Sequence, residues 1–185
     1  MCAIAGFYNH EADFKRKEVY CRSVLEAMNQ AQRRRGPDDS GTYLDSHFSL
    51  AHVRLQIVDL ETGHQPMIRP KGEHKVGIVY NGELYNMPEL RSVLSDRGFS
   101  FETKSDTEVL LLAYLAWGPE FVRKINGIFS IAIMDTEMNR LLLYRDRSGI
   151  KPLFYTETDG TVFFASELKG LLCCPGVHPL SLIHI

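Results

Sequence analysis

Short apolar runs alternate with polar, turn-forming stretches along most of the chain. The first, AIAGFY at residues 3 to 8, predicts a buried strand that begins directly after Cys2. From Tyr20 to Gln32 the apolar residues Val24, Leu25, Met28 and Ala31 recur at helical spacing, predicting a helix that gives way to a loop at RRRGPDDSG. Residues 48 to 53 and 55 to 58 read as strands on either side of Arg54, and VGIVY at 76 to 80 reads as another that runs into Asn81-Gly82-Glu83. On local grounds the Asn-Gly pair is as good a hairpin turn as anything else. Asn86 ahead of Pro88 and Glu89 opens a helix striped with Leu90, Val93 and Leu94, which stops before Gly98. Ser105-Asp106-Thr107-Glu108 is a capping box, in which both the Ser105 hydroxyl and the Glu108 carboxylate satisfy first-turn amides. The helix it opens buries Val109, Leu112, Ala113 and Ala116 and ends at Gly118. Taken alone, Asp106 is a favourable negative charge at a helix N-terminus.

The last third is strand-rich: GIFSIAIMD (127 to 135), RLLLYRD (140 to 146), PLFYTE (152 to 157) and TVFFA (161 to 165), joined by short turns that imply antiparallel pairing. Several of these runs are apolar on both faces and need cover on both sides. An α+β fold meets that need as a four-layer αββα sandwich, two packed antiparallel sheets flanked by helices. Across 185 residues with no repeat, low-complexity tract or long linker, a single domain is expected.

Charge changes the picture only by exclusion. A formal net charge of -2, from 21 basic and 23 acidic residues, leaves no footprint for nucleic acid or an anionic membrane. The basic run Arg33-Arg34-Arg35 is followed at once by Asp38-Asp39 and reads as a solvated or salt-bridged loop. No apolar stretch approaches the roughly 20 residues of a membrane span, and the N-terminus lacks a basic region ahead of its apolar segment, so a cytoplasmic protein is expected. The four cysteines, Cys2, Cys21, Cys173 and Cys174, form no C-x-x-C pair, and the seven histidines are scattered. No metal and no disulfide framework is expected. Cys21, Cys173 and Cys174 read as small apolar residues.

Cys2 is different because trimming of Met1 leaves it with both a thiol and a free α-amine. Such an amine, with a pKa of about 7.7 to 8.0, can take the thiol proton and later protonate a leaving amine without a separate histidine. Position alone still favours an incidental core cysteine. Its company points the other way: MCAIAGFYN, RRRGPDDSG, AHVRLQIVD, VYNGELYN, SDTEV, INGIFSIAIMD, YRDRSGIKPLFY and ASELKGLL follow one another in that order. This set resembles the N-terminal glutaminase domain of glutamine-hydrolysing asparagine synthetases, a class II amidotransferase of the N-terminal-nucleophile hydrolase type. The resemblance runs from Met1 to about Val177.

The resemblance implies roles for specific residues. Cys2 is the nucleophile, and Asn81 and Gly82 form the oxyanion hole. Arg54 binds the α-carboxylate of L-glutamine, Glu83 and Asp106 lie near its α-amino group, and Leu55, Gln56, Ile57 and Val58 add backbone contacts. Ala3, Arg34 and Gln56 depart from the commoner residues of the family, without removing a charged or nucleophilic group. The domain spans residues 2 to 177, and the tail at 178 to 185, HPLSLIHI, is atypical and reads as truncation or artefact. No S-G-G-x-D-S loop is present. The synthetase domain of the family, which uses ATP and Mg, is thus expected outside these residues as the partner that consumes the ammonia, and no cofactor is expected in this chain. Homodimerisation stays open. So do two other readings: a class II glutaminase serving a sugar phosphate, purine or antibiotic precursor, and a silent binding module.

Overall fold

The computed structural model describes residues 2–55 and 63–178. Nine strands form two antiparallel sheets. The first has the order β2-β3-β1-β9-β8 and the second β4-β5-β6-β7. In the first sheet the strands are β1 (Ala3–Tyr8), β2 (Asp39–Leu44), β3 (Phe48–Arg54), β8 (Phe154–Thr158) and β9 (Thr161–Ala165). The second holds β4 (Met67–Lys71), β5 (His74–Leu84), β6 (Gly127–Asp135) and β7 (Arg140–Arg145). Helix α1 (Glu18–Gln32) and the short α4 (Leu168–Leu171) cover the first sheet, and α2 (Met87–Asp96) and α3 (Asp106–Trp117) cover the second. This is the expected αββα sandwich.

Alternation along the strands explains why both sheet faces are apolar. In β1, Ala5 and Phe7 pack under α1 with Leu25 and Met28, while Ile4 and Tyr8 turn inward to meet Phe48, Leu50, Val79, Ala132 and Met134 between the sheets. In β5, Val76, Ile78 and Tyr80 face α2 and α3, leaving Val79 for the inter-sheet layer. Gly6 leaves room for the neighbouring strands of its own sheet, since a Cβ there would lie 2.2 Å from the Ser49 carbonyl oxygen on β3.

The structure departs from the sequence reading at several points. The segment expected as a loop through Gly41 becomes a 3₁₀ turn at Arg33–Arg35 and then an edge strand, β2. Strand β4, with its Pro70 on a sheet edge, was not anticipated. The Asn81-Gly82 pair is no turn, because β5 runs straight through it to Leu84. Val93 is 45% exposed, leaving Leu90 and Leu94 to dock α2. In α1, Asn29 and Gln32 are buried where Ala31 was expected. Helix α3 is buried continuously from Thr107 to Tyr114.

The capping box is half formed. Ser105 Oγ accepts the Glu108 N–H at 3.3 Å. The Glu108 carboxylate instead accepts the Glu102 and Thr103 amides and the Thr103 hydroxyl, and pairs with Arg69 at 2.6 Å. Burial alone would raise the Glu108 pKa, but these donors more than offset it and hold the carboxyl below its usual range. The strand reading at 55 to 58 lies, beyond Leu55, outside the described residues.

Candidate functional site

The period of two that builds the inter-sheet layer also builds the site. Ile4 on β1, His52 on β3 and Val79 on β5 are buried, and two residues further along each strand come Cys2, Arg54 and Asn81. These three therefore reach the same end of the sandwich. The β1–β3 register, with Ala3 opposite Val53, sets Cys2 opposite Arg54 when continued by one residue. A cavity of about 220 Å³ opens there, lined by Cys2, Arg54, Leu55, Asn81, Gly82, Glu83 and Asp106, with Gly63, Gln65, Tyr80, Ser105, Thr107 and Lys151 completing the wall. Every described residue to which the resemblance gives a role thus borders one cavity. Gln56, Ile57 and Val58 lie outside the described residues.

The Cys2 thiol is half-buried and donates to the Leu55 carbonyl at 3.8 Å. Its own carbonyl accepts Arg35 Nε at 3.0 Å, and Arg35 stands 3.9 Å from Glu167. Ile4 is fixed to Ser166 by two hydrogen bonds, the Ile4 N–H to Ser166 Oγ at 3.0 Å and the Ser166 N–H to the Ile4 carbonyl at 2.9 Å. The Cys2 end of β1 is thereby anchored on both sides. Reading Arg33-Arg34-Arg35 as a solvated or salt-bridged loop fits the Arg35–Glu167 pair but missed the bond from Arg35 to the Cys2 carbonyl. The guanidinium and Gly36 occupy the same turn, and a Cβ on Gly36 would lie 2.3 Å from the Arg54 amide nitrogen. The Asp38 N–H also donates to the Arg54 carbonyl at 3.1 Å. The R-G-P-D turn thus holds both Cys2 and Arg54 by their main chains.

On the other sheet, Asn81 is 2% exposed and its Nδ2 has no hydrogen-bond partner among the described residues. A buried amide donor left open in this way is costly and is suited to a ligand oxygen. Gly82 is required sterically, because a Cβ would lie 2.3 Å from the Ile128 carbonyl oxygen and 2.6 Å from the Tyr80 ring. Tyr80 points to the opposite face of β5, toward the N-terminus of α3 where Asp106 sits. Burial raises the Asp106 pKa, and the Tyr80 hydroxyl with the amides of Thr107, Asp106 and Leu84 offsets only part of that rise. Burial, then Asp106, drive the Tyr80 hydroxyl far above its ordinary range, so it stays protonated.

His52 lies behind the cavity, 1% exposed, and burial takes its pKa down to about 3. It is neutral and does not border the cavity. Lys151 does, and sequence reasoning missed it. It ends a turn whose Ile150 and Lys151 amides both donate to the Asp146 carboxylate at 2.9 Å. The R-D-R-S-G-I-K spacing was the available signal. Among the described residues no group of three or more His, Cys, Asp or Glu is placed to hold a metal ion. No described helix is long and apolar enough to cross a membrane.

Comparison with known proteins places this arrangement. Glutamine-hydrolysing asparagine synthetase 3 of Bacillus subtilis (strain 168) is 42% identical over 177 residues, covering 96% of this chain and 28% of that protein. Asparagine synthetase B of Escherichia coli (strain K12) is 40% identical over 174 residues, covering 93% of this chain and 30% of that protein. The chain therefore spans under a third of these relatives. The fold is that of the glutamine phosphoribosylpyrophosphate amidotransferase of B. subtilis, solved with ADP and GMP, with a TM-score of 0.74 at 19% identity over 93% of this chain and 43% of that one. The family model described as a glutamine amidotransferase domain matches residues 1–181, and the chain belongs to that family.

Proposed function

We propose that this chain hydrolyses L-glutamine to glutamate and ammonia through a thioester on Cys2. The observation that carries the reading is the convergence on one cavity of a thiol, an open buried amide donor and oppositely charged groups on either side. Arg54 pairs with the substrate α-carboxylate, for which a planar guanidinium is suited. Glu83 and Asp106 attract its α-ammonium. Held by both charged groups on its α-carbon, glutamine presents only its side-chain amide to the thiol.

With Met1 removed, the Cys2 α-amine takes the thiol proton as Sγ attacks the amide carbon. Asn81 Nδ2 and the Gly82 N–H receive the oxyanion, and the amine returns the proton to the departing nitrogen, which leaves as ammonia. Water then attacks the thioester, releasing glutamate and restoring the thiol. The lack of any histidine among the described cavity-lining residues accords with a base carried by Cys2 itself.

The ammonia serves ATP-dependent amidation of aspartate in a synthetase domain beyond a glutaminase domain of residues 2 to 177. The asparagine synthetases that match along nearly this whole chain support that acceptor. Ile150, 57% exposed and next in sequence to the cavity-lining Lys151, offers apolar surface for such a domain. The setting is cytoplasmic, and no cofactor is assigned to this domain.

An electrophilic glutamine analogue tests the reading, with the adduct mapped by mass spectrometry. Burial raises the Cys21 thiol, and burial with the neighbouring Cys173 pushes Cys174 up to about 12, so both are poor nucleophiles. The adduct is expected on Cys2, protected by excess glutamine. Labelling at Cys21, Cys173 or Cys174 instead would contradict the assignment.

A further inference from the structure

Strand β5 extends past its β4 partner. Their pairing ends with Met67 opposite Ile78, while β5 continues through Tyr80, Asn81 and Gly82 to Leu84. Continuing the register by two residues places Gln65 opposite Tyr80, but there the main chain no longer pairs. The Gln65 side chain does so in its stead: the Tyr80 N–H donates to Gln65 Oε1 at 2.6 Å, and Gln65 Nε2 donates to the Tyr80 carbonyl at 3.1 Å. The same Nε2 reaches Thr107 Oγ1 at 3.1 Å, in the first turn of α3 beside Asp106. The Gln65 main chain is set from the other sheet, since a Cβ on Gly41 of β2 would lie 2.1 Å from its carbonyl oxygen.

We propose that Gln65 is a positioning residue for the reaction, its primary amide standing in for a missing strand and clamping the Tyr80 peptide so that Asn81 and Gly82 aim at the oxyanion. This rests on the glutaminase reading above. Gln65 borders the cavity but is 8% exposed, with both ends of its amide engaged by the protein. It acts through β5 and not on glutamine. The residue type follows from the geometry: one group must accept the N–H and donate to the C=O of the same residue, Tyr80, and only a primary amide or a protonated carboxyl of that length does both.

Two variants test this. Gln65→Met keeps the length and removes both bonds, and kcat for glutamine hydrolysis is expected to fall ten- to a hundredfold while KM changes less than threefold. Gln65→Glu keeps the shape. Ionised, it sets a carboxylate oxygen against the Tyr80 carbonyl, and protonated it restores the donor. The ratio of its kcat to that of the unsubstituted protein is therefore expected to climb toward one as pH falls from 8 to 5.5, with both proteins folded by circular dichroism. A kcat for Gln65→Met within twofold of the unsubstituted protein, or a pH-independent ratio for Gln65→Glu, overturns the proposal. If Gln65→Met does not fold, the Gln65→Glu ratio decides alone. Absence of glutaminase activity in the unsubstituted protein would instead overturn the functional reading beneath it.

Discussion

Replacing Asn81 by alanine should separate activity from stability, because an open buried donor carries a cost in the folded protein and, in the proposed reaction, a use. Asn81 Nδ2 is buried without a partner among the described residues. An unsatisfied buried donor of this kind costs about 1–3 kcal/mol. Asn81→Ala removes that cost, and because the side chain borders an open cavity, truncation leaves no sealed void of the kind that penalises core substitutions. Net stability should stay level or rise by up to about 2 kcal/mol. For a chain of this size each 1 kcal/mol corresponds to roughly 2–4 °C in Tm. Loss of one oxyanion donor should lower kcat about 10²- to 10³-fold, equivalent to about 2.7–4 kcal/mol, with a much smaller effect on KM. Thermal melts and steady-state glutamate release on the same preparations give both quantities. A kcat within threefold of the original, or a Tm that falls in step with activity, would show that Asn81 serves packing and not the oxyanion.

Three further outcomes follow from particular contacts. Arg35→Met removes the hydrogen bond to the Cys2 carbonyl, and kcat should fall at least tenfold with KM nearly constant; charge-assisted bonds of this kind contribute about 1.5–3 kcal/mol. Glu108→Gln sets an amide NH2 against the donors its carboxylate now accepts, while Arg69 keeps Glu102 at 2.8 Å, and should cost about 1–3 kcal/mol in chemical denaturation. Because the folded Glu108 pKa is depressed, its contribution is present above the unfolded value of about 4.3 and is lost as pH falls through the lower folded value, so acid unfolding of the original should steepen there and that of Glu108→Gln should not. Asp106 shifts the opposite way. Protonation removes its attraction for the substrate ammonium, so KM should rise on acidification starting above the ordinary aspartate value of about 3.9, and Asp106→Asn should have a high KM without that acid limb.

The site residues were legible only through the family resemblance, and local alternation explains why they meet in the fold. Cys2, Arg54 and Asn81 lie two residues beyond inter-sheet residues on three strands, and period two carries all three to one end of the sandwich. Elements whose stability is tertiary were not legible. Strand β2 (DSGTYL) has little apolar signal of its own and forms by pairing along β3, from Asp39 opposite Arg54 to Leu44 opposite Ser49. Glu108 fits a capping-box pattern, yet Arg69 and the 102–103 amides compete successfully for its carboxylate. Arg35 and Gln65 act on main-chain atoms of residues far away in sequence, and no spacing rule reveals such a bond. The Asn81-Gly82 pair was ambiguous for a different reason: the dipeptide that favours a turn also supplies an amide donor and a gap for close backbone approach, and pairing with β6 selects the extended form.

The central claim is that Cys2 works as an N-terminal residue whose own amine moves the proton. Glutamate release from glutamine should be measured on protein with a free Cys2 α-amine and on the same protein with one residue left ahead of it. Loss of activity in the extended form, with an unchanged melting temperature, is the result the account predicts. Equal activity in the two forms would contradict it.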